Sequence, residues 1–225
     1  MSIVIYPQTT GESLPILSTQ VSTTSANTLG VRSRIRLVNL RNAEFYSDGS
    51  NWKPVGGRQT LYIRQGSIAS PLATLTGDGT SQQFVTPDTL VIPAGLISIH
   101  TKIYGEVFVK RGGTAQAFTV VCALGTANNV DTSADQSFMG HTISAVDGNE
   151  ARLFGSAQFF SATATAGFIS TGSIIPNQTT TANQTLKTTN QNTSVDMFIS
   201  IGCSNTSFIA PDTMSLTGYH FWIEG

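Results

Sequence analysis

The chain has 225 residues and a net charge of −1, with 40% hydrophobic and 11% charged residues; an ordinary soluble domain carries roughly 25% charged residues. The hydrophobic content excludes a disordered chain, and the dense Ser/Thr with 21 glycines excludes the Ala/Glu/Lys/Leu mix of a helical enzyme. Charge is unevenly divided: residues 1–66 hold seven bases against three acids and residues 67–225 five against ten, so the two parts present different electrostatic surfaces.

Met1–Pro7 lacks the basic, apolar pattern of a signal sequence, and no apolar run approaches the ~20 residues that span a bilayer. The expectation is a soluble chain made in a cytoplasm, with no membrane insertion. Residues 1–30 read as an extended arm. Ile3-Val4-Ile5-Tyr6 is followed by Pro7, Gly11, Pro15 and a Ser/Thr-rich stretch to Gly30. Such a segment cannot build its own core, so any order comes from a surface it lies against.

Residues 31–40 alternate. In a strand, Arg32, Arg34 and Arg36 share one face, and Ser33, Ile35 and Leu37 the other. Guanidinium groups about 7 Å apart form a contact stripe for an acidic docking surface. The same row also reads as a strand face kept soluble by charge. Next comes Phe45-Tyr46-Ser47-Asp48-Gly49-Ser50-Asn51-Trp52-Lys53-Pro54-Val55. Asp-Gly predicts a two-residue hairpin turn with both φ positive, and Phe45 or Tyr46 against Trp52 predicts an aromatic clamp across it. Gly56-Gly57 breaks the hairpin before a strand at 59–64. The Gly/Ser/Pro-rich stretch that follows reads as a linker. The organisation expected is an arm and hairpin anchor over 1–66, a linker over 67–80, and a β-sandwich over 81–225.

Beyond Gln82 the pattern is β throughout. Leu90-Val91-Ile92 leads into a Pro93-Ala94-Gly95 turn. Residues 96–110 give the longest alternation, with Ile97, Ile99, Ile103, Val107 and Val109 on one side and Ser98, His100, Lys102, Tyr104, Glu106 and Lys110 on the other. Lys110–Gly113 predicts a hairpin to a strand at 116–124. Further strands are expected at 136–143, 151–160, 167–175, 193–203 and 214–224, with Val195, Met197, Ile199, Ile201 and Cys203 as an inner row. Residues 175–193 read as a long polar loop. The sum is an all-β protein: a small hairpin anchor with an extended arm, then an antiparallel, jelly-roll-like sandwich.

Little of this chain looks catalytic. There is no Gly-x-Ser-x-Gly elbow, and His100, His141 and His220 stand apart, outside any motif. Asp131, Asp135, Asp147 and Glu150 match no standard ligand spacing and read as turn caps. No enzyme activity, metal or cofactor is expected. A phosphate-cradling glycine motif is missing, and one Arg row on a slightly acidic chain is too small a footprint for nucleic acid. Cys122 and Cys203 read as buried free thiols, bridgeable only if their strands are neighbours. Asn-x-Ser/Thr at Asn177, Asn183, Asn192 and Asn205 reads as composition. Tyr104, Phe108, Tyr219 and Trp222 fall on strand faces as candidates for a recognition surface, and each also fits a core or subunit interface.

Two segments carry a resemblance. The Phe-Tyr-x-Asp-Gly-x-x-Trp-x-Pro-Val hairpin, with Gly56-Gly57-Arg58-x-x-Leu61-Tyr62 behind it, resembles a recurring piece of tailed-bacteriophage virion proteins. Leu90-Val-Ile-Pro-Ala-Gly-Leu96 is similar to the motif that opens the sandwich in phage fibre and head-decoration proteins; 196–224 fits their final strands loosely. The resemblance implies a homo-oligomer, a trimer, docked by its N-terminal part on a capsid or tail and displaying its sandwich at the virion surface. Arg32, Arg34, Arg36, Tyr46 and Trp52 would lie in that dock; Tyr104, Phe108 and Tyr219 would lie on the displayed knob. A chain too short for a long shaft favours a short head-fibre or capsid-decoration protein. A receptor-binding tail fibre attached to host-surface glycan, or a cellular carbohydrate-binding module, remains the alternative.

Overall fold

The computed structural model describes residues 16–17, 34–37, 43–48, 51–84, 89–98, 100–128, 130, 137–148, 150–159, 166–175, 184–191, 193, 195–203 and 207–225. Strands β1 (Ile16–Leu17), β2 (Arg34–Leu37), β3 (Ala43–Ser47) and β4 (Trp52–Pro54) form a small sheet in that order. In β3 and β4, alternation turns Ala43, Phe45, Ser47, Trp52 and Pro54 to the buried side. The register pairs Phe45 with Pro54, Tyr46 with Lys53 and Ser47 with Trp52. The strands end at Ser47 and Trp52, and the Asp48–Asn51 backbone hydrogen bond continues the ladder by one pair, so the chain reverses one residue later than the expected Asp48-Gly49 turn. The Asp48 carboxylate accepts the Asn51 N–H at 2.7 Å, and Asp48 N–H donates to the Asn51 carbonyl at 3.1 Å, so the aspartate acts as a turn cap. The expected clamp changes too: Phe45 and Trp52 share the buried face, while Tyr46 is on the other.

A 3-10 turn at Val55–Gly57, with φ of +75° and +77° at Gly56 and Gly57, leads into β5 (Arg58–Gln65). Both φ values suit only glycine without strain. There follow β6 (Ala73–Asp78), β7 (Gln82–Gln83), β8 (Val91–Ile92), β9 (Lys102–Gly112), β10 (Phe118–Gly125), β11 (Ser137–Ile143), β12 (Glu150–Phe159), β13 (Ala166–Ile175), β14 (Gln184–Gln191), β15 (Met197–Cys203) and β16 (Ile209–Glu224). The large sheet runs β14-β13-β12-β9-β16-β5, with β6 also on β16. The facing sheet runs β11-β10-β15-β7, with β8 also on β15. Every pairing in these two sheets is antiparallel. The protein is all-β, an antiparallel sandwich with a small N-terminal hairpin sheet.

The core lies between the two sheets. Ile103, Val107, Val109, Leu153, Ala157, Phe159, Met214, Leu216 and Phe221 meet Phe118, Val120, Cys122, Leu124, Met197, Ile199, Ile201 and Cys203 in one buried cluster. Glycine is required at Gly105 in the middle of β9, where a Cβ would stand 2.6 Å from the Phe221 ring and 2.7 Å from Met139. One corner is closed by Tyr62, whose hydroxyl accepts the Val91 N–H and donates to the Val91 carbonyl, both at 2.8 Å.

Several expectations change here. Residues 58–65 and 73–78, read as anchor and linker, are β5 and β6 of the large sheet, end to end along one edge of β16. Phe45 and Trp52 join the same core cluster, and Gln59 Oε1 accepts the Glu44 N–H at 3.2 Å. The strand expected over 96–110 begins at Lys102: Thr101 N–H donates to the Ser98 carbonyl at 3.0 Å, and His100 has φ +71°. Lys110–Gly113 does not open a hairpin. β9 and β10 lie in different sheets, so the segment between them is an arch. Val195 is exposed rather than in the inner row. Part of the expected polar loop, 184–191, is strand β14 on β13.

Candidate functional site

In a one-layer-buried sheet the outward face is ordinarily polar. The outward face of this large sheet is aromatic. Cross-strand rows place Thr60, Trp222, Tyr104 and Ser156 side by side, then Ile63, His220, Glu106 and Phe154, then Gln65, Gly218, Phe108 and Arg152. Tyr104 and Trp222 stack with centroids 5.3 Å apart and planes 5° from parallel. Phe154 and His220 flank Trp222 at 6.1 and 4.8 Å, and the Arg58 guanidinium lies 4.2 Å above its ring. Thr60 Oγ1 is 3.3 Å from His220 Nε2. Burial, and then the charge and hydrogen bond of Glu224, hold the Tyr104 phenol above its ordinary pKa; Arg58 works against them. Arg152 pairs with Glu106 and lies 5.7 Å over the Phe108 ring.

The predicted recognition residues thus separate. Tyr104 and Phe108 are on this face, Phe108 at 37% exposed. Tyr219, 1% exposed, is in the core, 5.9 Å from Phe221, and is not a surface contact. The cause is a β-bulge. The register between β16 and β9 slips at Leu216/Gly218, so Thr217 is extra and the inward phase shifts from Met214 and Leu216 to Tyr219, Phe221 and Ile223. Trp222 faces outward for the same reason.

The predicted docking residues also separate. Trp52 is 2% exposed and is core, not contact surface, because the hairpin packs on the sandwich instead of standing apart. Tyr46 is 39% exposed, opposite Lys53. Arg34 and Arg36 lie on β2, in register with Tyr46 and Glu44. Arg32 lies outside the described residues, as do Asp131, Asp135 and the four Asn-x-Ser/Thr asparagines.

No local pattern around 111–116 announces the arch. Arg111, the last inward position of β9, is fully buried and 2.7 Å from the equally buried Asp212. Its Nε donates to the Gly113 carbonyl at 2.8 Å and its Nη1 to the Ser144 carbonyl at 3.1 Å. Asp212 accepts the N–H groups of Ala115 and Gln116 at 2.9 and 3.1 Å. Burial pushes the Asp212 carboxyl up, but those amides and the guanidinium outweigh it and hold the group below the usual carboxylate range. Asp147, expected to cap its own Asp147-Gly148 turn, instead accepts the Gly113 N–H of the arch at 2.9 Å.

Cys122 and Cys203 are buried and free. Their strands are neighbours, but the register pairs Cys203 with Val120 and Cys122 with Ile201, so the thiols are diagonal. Burial raises the Cys203 thiol to about 12 and Cys122 well above its usual value. Among the described residues no group of three or more His, Cys, Asp or Glu could hold a metal ion, and no helix is long and apolar enough to cross a membrane.

No family model matches the chain, and no curated protein does. Among solved structures it is similar to arcelin-5, a lectin-like defence protein from Phaseolus vulgaris, at 7% identity and a TM-score of 0.32, over 75% of this chain and 99% of that one. A likeness of that size carries no argument about what this chain does.

Proposed function

We propose that this chain is a structural protein of a tailed-phage virion, a short head-fibre or capsid-decoration protein. It docks by its N-terminal part, works as a homo-oligomer, a trimer, and displays the sandwich at the particle surface; its role is binding rather than catalysis. The observation that carries the reading is how the hairpin is mounted. Its Phe45, Trp52 and Pro54 face is buried, with Phe45 and Trp52 in the sandwich core, while Glu44, Tyr46 and Lys53 occupy the opposite face beside the Arg34–Leu37 strand. A load applied at that outward face passes through packed side chains, not a hinge. This suits an anchor, and the basic balance of residues 1–66 suits an acidic dock.

The test is mass spectrometry of density-purified particles made from a genome encoding this chain, followed by add-back of recombinant protein to particles lacking it. The expected result is saturable, salt-sensitive decoration that Tyr46→Ala with Lys53→Glu weakens. Particles free of the chain that also refuse the recombinant protein would rule the reading out.

A further inference from the structure

A shallow cleft opens on the outward face of the large sheet, with a volume of about 200 Å³ and Ile68, Phe108, Lys110, Glu150, Arg152 and Thr217 among its lining residues. Three features of the chain build it. The Thr217 bulge is pinned by its hydroxyl donating to the Phe108 carbonyl at 3.1 Å. Gly218 stands beside Phe108 in the row, where a Cβ would come 3.5 Å from the ring, so a larger side chain would cover the phenyl. The 66–72 connection turns back on itself, with Ser67 N–H donating to the Ser70 carbonyl at 3.0 Å, and holds Ile68, half exposed, as one wall. Bulges commonly re-aim side chains at binding sites.

The chemistry of the lining narrows the occupant. The exposed Phe108 ring asks for an apolar face. Lys110 and Glu150 are cross-strand neighbours and supply donors and acceptors side by side. Arg152 spends one nitrogen on Glu106 while its side chain stays 37% exposed; its Nε is buried, without a hydrogen-bond partner among the described residues, so the exposed part of the guanidinium is what faces the cleft. A plain anion would meet the Glu150 carboxylate. An alkyl chain would leave the charged groups without partners, at a cost in desolvation. A peptide strand needs a longer groove than a cleft of this size. A ring with a C–H face and a rim of hydroxyls, which both donate and accept, answers every group.

We infer that this cleft is a carbohydrate subsite that takes one saccharide ring, stacked on Phe108 and hydrogen-bonded by Lys110, Glu150 and Arg152. The inference does not depend on what the hairpin docks to, so particle association and sugar binding can fail separately.

The test is saturation-transfer NMR on the whole chain with a panel of free neutral hexoses, N-acetylhexosamines and hexuronic acids, with light scattering on the same samples. At least one sugar should receive transfer at its ring C–H protons. Phe108→Ala should cut the signal at least tenfold, Lys110→Ala severalfold, and Phe108→Tyr should retain it. Phe108 is on the outward face, so circular dichroism should find all three variants folded. Transfer to no sugar, or transfer unchanged in Phe108→Ala, would overturn the inference. So would a concentration-dependent mass that Phe108→Ala abolishes while no sugar binds, which would mean that a second copy covers the face.

Discussion

Asp212 and Glu224, toward opposite ends of β16, lie about 40 Å apart at ~3.3 Å per residue, and the two regions are held by opposite chemistry. At the Glu224 end the hairpin is fixed by apolar packing of Phe45 and Trp52, with Pro54 within 3.8 Å of a Cβ built on Gly225. At the Asp212 end the arch is fixed by a buried ion pair and by carboxylate-accepted backbone N–H groups. The contrast follows from what each end must satisfy. The hairpin brings its own ladder hydrogen bonds and needs only to bury a face. The arch crosses between sheets, where the ladder stops, and its backbone polar groups need side-chain partners.

The contrast predicts unequal responses. The largest effect should come from Arg111→Ala, which leaves Asp212 buried without its cation and should cost about 3–5 kcal/mol, read by denaturant unfolding. Replacing both partners with apolar residues should recover little of that loss, because the Ala115 and Gln116 N–H groups and the Gly113 and Ser144 carbonyls would lose their partners. Trp52→Ala should cost about 3 kcal/mol, near the low end for a large buried aromatic, because a peripheral hairpin can settle into the gap.

pH separates the ends more sharply. The folded pKa of Asp212 lies below its unfolded value, so its contribution is complete above the unfolded carboxylate pKa of about 3.9 and disappears as pH falls through the folded one. Wild type and Trp52→Ala should share this acid limb, and Asp212→Asn should lack it. The smallest stability effect belongs to Tyr46→Ala, within about 0.5 kcal/mol for an outward residue, although docking should weaken. Finally, Cys122 and Cys203 should resist a thiol-exchange reagent in the native state and react together on unfolding, since the thiolate is the reactive form.

Much of the sandwich was legible in the sequence. β11, β12, β13 and β15 were placed within a few residues, β15 by the alternating row Met197, Ile199, Ile201 and Cys203. Other features were hidden for specific reasons. Ala73–Asp78 looks like linker because Gly77 and Asp78 are turn residues, but β16 recruits it as an edge; a Cβ on Gly77 would stand 2.5 Å from the Ile209 nitrogen. Gln184–Gln191 has no apolar alternation, and only its place outside β13 makes it a strand. The arch depends on Asp212, nearly a hundred residues beyond Ala115, and no local pattern announces a partner so distant. Tyr219 and Trp222 both fall on the expected 214–224 strand, and only the bulge at Thr217, which no local pattern marks, turns Tyr219 inward and Trp222 outward; the same bulge shapes the Phe108 cleft.

The central claim is that the hairpin end faces a virion and the sandwich faces away from it. Its most direct test is a cryo-electron microscopy map of the assembled particle with this chain located. The account predicts density at the particle surface joined through the Tyr46–Lys53 face, with the Arg111–Asp212 arch at the outer tip. A particle without the chain, or one that holds it by the arch with the hairpin outward, would contradict it.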